Sequence, residues 1–164
     1  LQRRRQRQMC IRDRNTSLVV NGNAIKVIYA SSPDEVKYAE HNIIDPIVID
    51  NTGVWRDEDS LSKHLKSGAS KVILTAPAKG DIKNIVFGIN DDILNDNDAI
   101  ISAASCTTNA IVPVLNAIND EYSIEGGHIE TVHAYTNDQN LIDNFHKGDR
   151  RGRGAPLNLS LIHI

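Results

Sequence analysis

Two cysteines, Cys10 and Cys106, are all that the 164 residues contain. That is too few for a disulfide framework, and it makes a reducing compartment, the cytoplasm, the expected location. Long apolar runs are missing as well. Nothing approaches the ~20 residues that cross a bilayer, and no secretory signal pattern stands out, so no membrane partner is expected. Excess positive charge is also lacking: 18 Lys and Arg against 21 Asp and Glu leave a net charge of −3, which gives no overall reason to expect nucleic acid as a partner. Metal-ligand spacing is poor, because His128 and His133 lie five apart and on a strand would point to opposite faces; with Cys106 they make no convincing site, and no metal is expected. There is no internal repeat. What is present, a hydrophobic share of 40%, suits a globular chain with room for one core but not for two full domains.

The two ends do not read as evolved sequence. Leu159–Ile164 has a possible coding sequence whose opposite strand, read one base in, translates as Met9-Cys10-Ile11-Arg12-Asp13-Arg14. Termini related as reverse complements are the mark of a sequencing adapter translated as protein. Residues 1–14 and 159–164 are therefore expected to be adapter-derived tails and are set aside. The other reading of Arg3-Arg4-Arg5 and Arg7 is a basic arm for nucleic acid.

Between those ends the pattern is α/β. Leu18–Val20 and Ala24–Ile28 flank Asn21-Gly22, which predicts a hairpin of two strands. Ser32-Pro33-Asp34-Glu35 predicts a short helix with Ser32 as cap and Pro33 at its first position. Pro46–Asp50 reads as a buried parallel strand with the loop Asn51-Thr52-Gly53 at its carboxyl end, where ligands collect in open sheets. Asp59, Leu61 and Leu65 predict a helix that stops at Gly68, and Lys71–Leu74 the next strand, parallel to the first. Ile85–Phe87 and His128–Tyr135 read as further strands. A helix is expected over Ala110–Ile118, with Pro113 tolerated in its first turn. From Thr136 to Asn158 the sequence turns polar, with Gly and Arg, which predicts a long loop of the functional or disordered kind.

The chemistry centres on Ser105-Cys106-Thr107-Thr108-Asn109. The apolar run 99–104 before it predicts a strand, and a helix follows, so Cys106 is expected at the positive end of a helix, where the thiolate that attacks carbon is favoured. The hydroxyls of Ser105, Thr107 and Thr108 could hold a small anion against the same N–H groups. A cysteine in a core and a histidine on a strand are each ordinary structural residues, so neither Cys106 nor His133 carries the assignment alone.

Their surroundings do more. Ala-Ala-Ser-Cys-Thr-Thr-Asn, followed after 27 residues (133 − 106) by His133 within Thr131–Gln139, resembles the glyceraldehyde-3-phosphate dehydrogenase family. Asn51–Val54, Ser70–Gly80 and Asp149–Arg153 fit that family too, and the resemblance runs from Ser17 to Asn158. It implies a phosphorylating aldehyde oxidation in glycolysis: Cys106 as nucleophile, His133 as its proton partner, and Ser105, Thr107 and Thr136 as ligands of the sugar phosphate and of inorganic phosphate. It further implies NAD or NADP as cofactor, held near Thr52, Gly53, Thr75 and Asn137, and a homotetramer in which Arg150-Arg151-Gly152-Arg153 packs across a subunit interface.

The implied organisation is the later part of a dinucleotide-binding domain over 15–105, a partial Rossmann-like parallel sheet, running into the start of an α+β catalytic domain over 106–158. The family's first strand and Gly-rich phosphate turn have no counterpart, nor does the acidic residue that reads the ribose. An internal fragment that neither binds cofactor tightly nor turns over by itself is therefore expected. The alternatives are an erythrose-4-phosphate dehydrogenase, a thiol hydrolase or acyl transferase on Cys106 and His133, and a non-catalytic binding fragment.

Overall fold

The structure, a computed structural model, describes residues 11–14 and 16–134. They divide into two units with the break between Ser123 and Ile124, and each is described by itself.

The first unit begins with an antiparallel sheet. Strand β1 (Ile11–Arg14) pairs with β2 (Ser17–Val20), which pairs with β3 (Asn23–Lys26). Val20 faces Asn23 across a two-residue turn in which Asn21 and Gly22 have φ of 51° and 85°. Both central residues need positive φ in the tight turns that match strand twist, and Asn-Gly supplies them at low cost. The predicted hairpin is therefore present, with its second strand beginning one residue earlier and ending two residues earlier than expected. Ile11–Arg14, within the span set aside on sequence grounds, forms the edge strand.

Pro33–Glu35 forms only a single 3₁₀ turn. Ser32 has the extended backbone of a cap, but its hydroxyl goes to the Asp34 carboxylate and not to the backbone, so nothing propagates the turn into a helix.

The second sheet is parallel, in the order β4 (Ile47–Asp50), β5 (Lys71–Leu74), β6 (Ile100–Ser102). Helix α1 (Glu58–Lys66) connects β4 to β5. Asp57 caps it by accepting from the Ser60 N–H at 2.9 Å, and Glu58 and Asp59 occupy its positive end. At the other end Gly68 takes φ 105°, its N–H donates to Leu65, and the Ala69 N–H donates to His64. This paired closure satisfies the last carbonyls and needs a left-handed residue, hence the glycine. Leu61 of α1 packs with Val72 and Leu74 of the central strand, and all three are fully buried; Tyr38, Ala69 and Ile82 complete the core.

Three sequence expectations need correction. Ile85–Phe87 is not a strand: the segment makes one bridge, Asn84 to Ser102, and then turns through Gly88, leaving Phe87 exposed. His128–Ala134, the described part of another expected strand, adopts no strand or helix. Helix α2 runs Cys106–Tyr122, so Pro113 lies inside it and not in its first turn. An interior proline forgoes a hydrogen bond at a cost of about 3 kcal/mol, and the helix keeps it because its start is fixed four residues earlier than its apolar spacing suggests, at Ser105.

Candidate active site

Parallel pairing brings the carboxyl ends of β4, β5 and β6 side by side, and each end carries residues singled out in the sequence. Thr52 and Gly53 follow β4, Thr75 follows β5, and Ser105, Cys106 and Thr107 follow β6. Backbone bonds tie the three ends together: the Thr75 N–H donates to the Asp50 carbonyl at 3.0 Å, and the Ala103 N–H to the Leu74 carbonyl at 2.8 Å.

The turn that leads to Cys106 is closed almost entirely by local bonds. Ser105, extended at φ −106°, accepts from the Thr108 N–H at 3.0 Å as the helix cap. Its hydroxyl also lies 3.2 Å from that of Thr107 and 2.6 Å from that of Thr108. Asn109 donates from its side chain to the carbonyls of Ala103 and Ser105, both at 2.8 Å, and so shapes the turn. Cys106 is thereby the first helical residue, and it is exposed, as the strand-to-helix reading requires. The three hydroxyls do crowd one turn, but in this arrangement the Ser105 oxygen is committed to the helix cap.

Thr52 is held by a residue the sequence did not single out. Asp50, 4% exposed, accepts from both the N–H and the hydroxyl of Thr52 at 2.7 Å with one oxygen. Its other oxygen stands 3.3 Å from His64 Nε2, and His64 Nδ1 is 3.0 Å from the Tyr38 hydroxyl. His64 and Tyr38 are buried as well. Each link is satisfied when Tyr38 donates to Nδ1 and Nε2–H donates to Asp50. Burial, and then the negative charge of Asp50, raise the Tyr38 pKa above its ordinary value. The signal for His64 was its register: it shares the apolar face of α1 with Leu61 and Leu65, where a polar residue is out of place unless partnered. Asp50 and Thr52 border a cavity of about 220 Å³ that Ser32, Val36, Trp55 and Ile28 also line.

His133 belongs to the second unit, half-buried, with Nδ1 donating to the carbonyl of Ala134. Thr136, Asn137 and the segment Arg150–Arg153 lie outside the described residues. No group of three or more metal-ligating side chains gathers among the described residues, and no helix there is long and apolar enough to cross a membrane.

An exposed thiol at a helix start, on the carboxyl edge of a parallel sheet, defines a mixed α/β chain in which Thr52, Thr75 and Cys106 of the first unit follow the strand ends where such sheets receive ligands. Residues 105–160 match the family described as glyceraldehyde 3-phosphate dehydrogenase, C-terminal domain. A glyceraldehyde-3-phosphate dehydrogenase-like protein of Pseudomonas aeruginosa is 59% identical over 150 residues, which cover 91% of this chain and 32% of that protein. A glyceraldehyde-3-phosphate dehydrogenase of Thermotoga maritima is 43% identical, over 87% of this chain and 42% of its own length. The chloroplastic glyceraldehyde-3-phosphate dehydrogenase A of Zea mays is 41% identical, over 88% of this chain and 36% of its own length. The chain belongs to the glyceraldehyde-3-phosphate dehydrogenase family, and it spans about a third to two fifths of the length of these curated relatives.

Proposed function

We propose that the chain carries the nucleophilic centre of a phosphorylating glyceraldehyde-3-phosphate dehydrogenase. The observation that supports this most directly is the exposed Cys106 at the first position of α2, on the same sheet edge as Thr52 and Thr75. A helix N-terminus favours the thiolate. The thiolate adds to the aldehyde carbon of the sugar phosphate while protonated His133 gives its proton to the carbonyl oxygen, and His133 takes that proton back as the carbon is oxidised to a Cys106 thioester. A nicotinamide cofactor supplies the hydride acceptor for that oxidation. Inorganic phosphate then attacks the thioester carbonyl; the carbon–sulfur bond breaks, Cys106 regains its thiolate, and the acyl phosphate leaves. Thr107 and Thr136 bind the phosphate groups together with Ser105, whose oxygen accepts as the helix cap while its hydroxyl hydrogen is donated to the anion.

For the cofactor, the residues present fit one end of a dinucleotide. The Thr52-Gly53 loop and Thr75 stand exposed on adjacent strand ends, and the cavity that Thr52 borders, at about 220 Å³, suits a single ring and not the whole molecule. Asn137 completes the proposed set, for NAD or NADP. The division into cofactor-domain residues 15–105 and catalytic-domain residues 106–158, the adapter-derived tails, a homotetramer built through Arg150–Arg153, and a cytoplasmic location belong to the same proposal.

The test is a cofactor-reduction assay on the gene product that carries this chain, with glyceraldehyde 3-phosphate, erythrose 4-phosphate or neither, each with and without phosphate. Phosphate-dependent reduction with glyceraldehyde 3-phosphate as the better substrate, reduced at least ~10³-fold by Cys106→Ser, is the expected result. Turnover that survives that substitution, or a preference for erythrose 4-phosphate, overturns the reading.

A further inference from the structure

Ala104, two residues before Cys106, has φ 56° and is 6% exposed. Most other non-glycine residues with positive φ here are Asn or Asp, which can hydrogen-bond locally in that conformation; an alanine has no such means and must be held by its surroundings. The group that holds it is the hydroxyl of Ser102, the last residue of β6 and fully buried. Its oxygen accepts from the Ala104 N–H at 3.0 Å. The same hydroxyl lies 2.8 Å from the Ala76 carbonyl and 2.8 Å from Asn84 Oδ1. Asn84 is anchored in turn, accepting from the Ala78 N–H at 3.2 Å and donating to the Ile82 carbonyl at 3.3 Å. The backbone of Ser102 is fixed on both sides as well, by Lys83 and by Ile85.

We propose that Ser102 is a positioning residue for the nucleophile: its buried hydroxyl pins Ala104 in the left-handed conformation and so fixes how α2, with Cys106 at its head, leaves the sheet. A side chain that only filled the core would need no hydroxyl in a fully buried place. Here the hydroxyl links three segments, the end of β6, the loop after β5 and the Asn84 bridge, to one strained residue. Without the pin, Ala104 relaxes toward negative φ, and the first turn of α2 no longer presents its N–H groups to the thiol in one fixed arrangement. The inference rests on the reading of Cys106 as the nucleophile.

The experiment measures alkylation of Cys106 by iodoacetamide across pH, with the Cys106 peptide quantified by mass spectrometry so that Cys10 does not interfere. Ser102→Ala is expected to slow the reaction near neutral pH about fivefold, the rate equivalent of the left-handed penalty of an alanine, and to move the midpoint of the pH profile upward while leaving the high-pH rate unchanged. Adding Ala104→Gly to that variant restores the parent profile, because glycine adopts the conformation without a pin; a loss of core packing alone would not be repaired at this residue. If Ser102→Ala cannot be purified folded, Asn84→Ala, which removes one partner of the hydroxyl, is expected to shift the profile in the same direction. An unchanged profile in the variant tested, or no rescue by the glycine, overturns the inference while leaving Cys106 as nucleophile. A parent chain whose Cys106 alkylates no faster than a simple thiol overturns that reading and this inference with it.

Discussion

At the scale of single residues, the buried polar groups decide most. Asp50 satisfies two donors on Thr52 and faces the buried His64, so Asp50→Ala leaves the His64 ring buried without its carboxylate partner and releases the Thr52 turn. The expected loss of stability is about 3 kcal/mol, read from the shift of the urea midpoint. The Tyr38 end of the same chain gives a pH signature. Because its pKa is raised in the folded chain, the folded state holds the phenol proton more tightly than the unfolded state does. That contribution is complete below the unfolded value of ~10 and is lost as pH rises through the folded value. Stability measured at pH 9 and at pH 11 should therefore fall in the parent, and the fall should be smaller in Tyr38→Phe. An equal fall in both would remove Tyr38 as its source.

Among the elements, α1 was legible because its signals are local: Leu61 and Leu65 at helical spacing with Asp59, and Gly68 after them; the Asp57 cap came to light only in the structure. The glycine is testable in isolation. Gly68 has φ 105°, and a Cβ there would meet nothing within 4 Å, so Gly68→Ala should cost only the backbone penalty, about 1 kcal/mol. A loss of several kcal/mol in chemical denaturation would mean that the glycine serves close packing. Helix α2 was misjudged in its start because apolar spacing begins at Ala110, whereas the helix begins where Ser105 can cap it and Asn109 can bind the turn behind it. Ile85–Phe87 was misjudged for the opposite reason: its apolar run is right for a strand, but Asn90 captures the Val86 N–H and the Asn84 carbonyl with its side chain and bends the segment into a turn.

At the widest scale, among the described residues the edge strand β4 leaves part of one face of the parallel sheet exposed, while Ile73 and Ile101 on that face are half-buried. Ile47 and Ile49 alternate with Val48 along β4 and are 62% and 58% exposed, while the other face carries the core. Parallel sheets are ordinarily covered on both sides. Replacing both isoleucines by serine should therefore reduce the fluorescence of a hydrophobic dye while changing stability by no more than ~0.5 kcal/mol; a loss typical of core positions would show that the face is covered in solution.

The sequence by itself determined the hairpin at Asn21-Gly22, the β4–α1–β5 unit, the placing of Cys106 at a helix start, and the family, because each depends on neighbours within a few residues or on motifs in order. Only the tertiary structure decided that Thr52, Thr75 and Cys106 share one sheet edge, that Asp50, His64 and Tyr38 form one buried chain, and that Ser102 reaches Ala104, Ala76 and Asn84. Those groups are 14 to 26 residues apart for the Asp50 chain and up to 26 for Ser102, and such distances close only when strands pair. Periodicity reports which face a residue occupies; it does not report which distant polar group will meet it there.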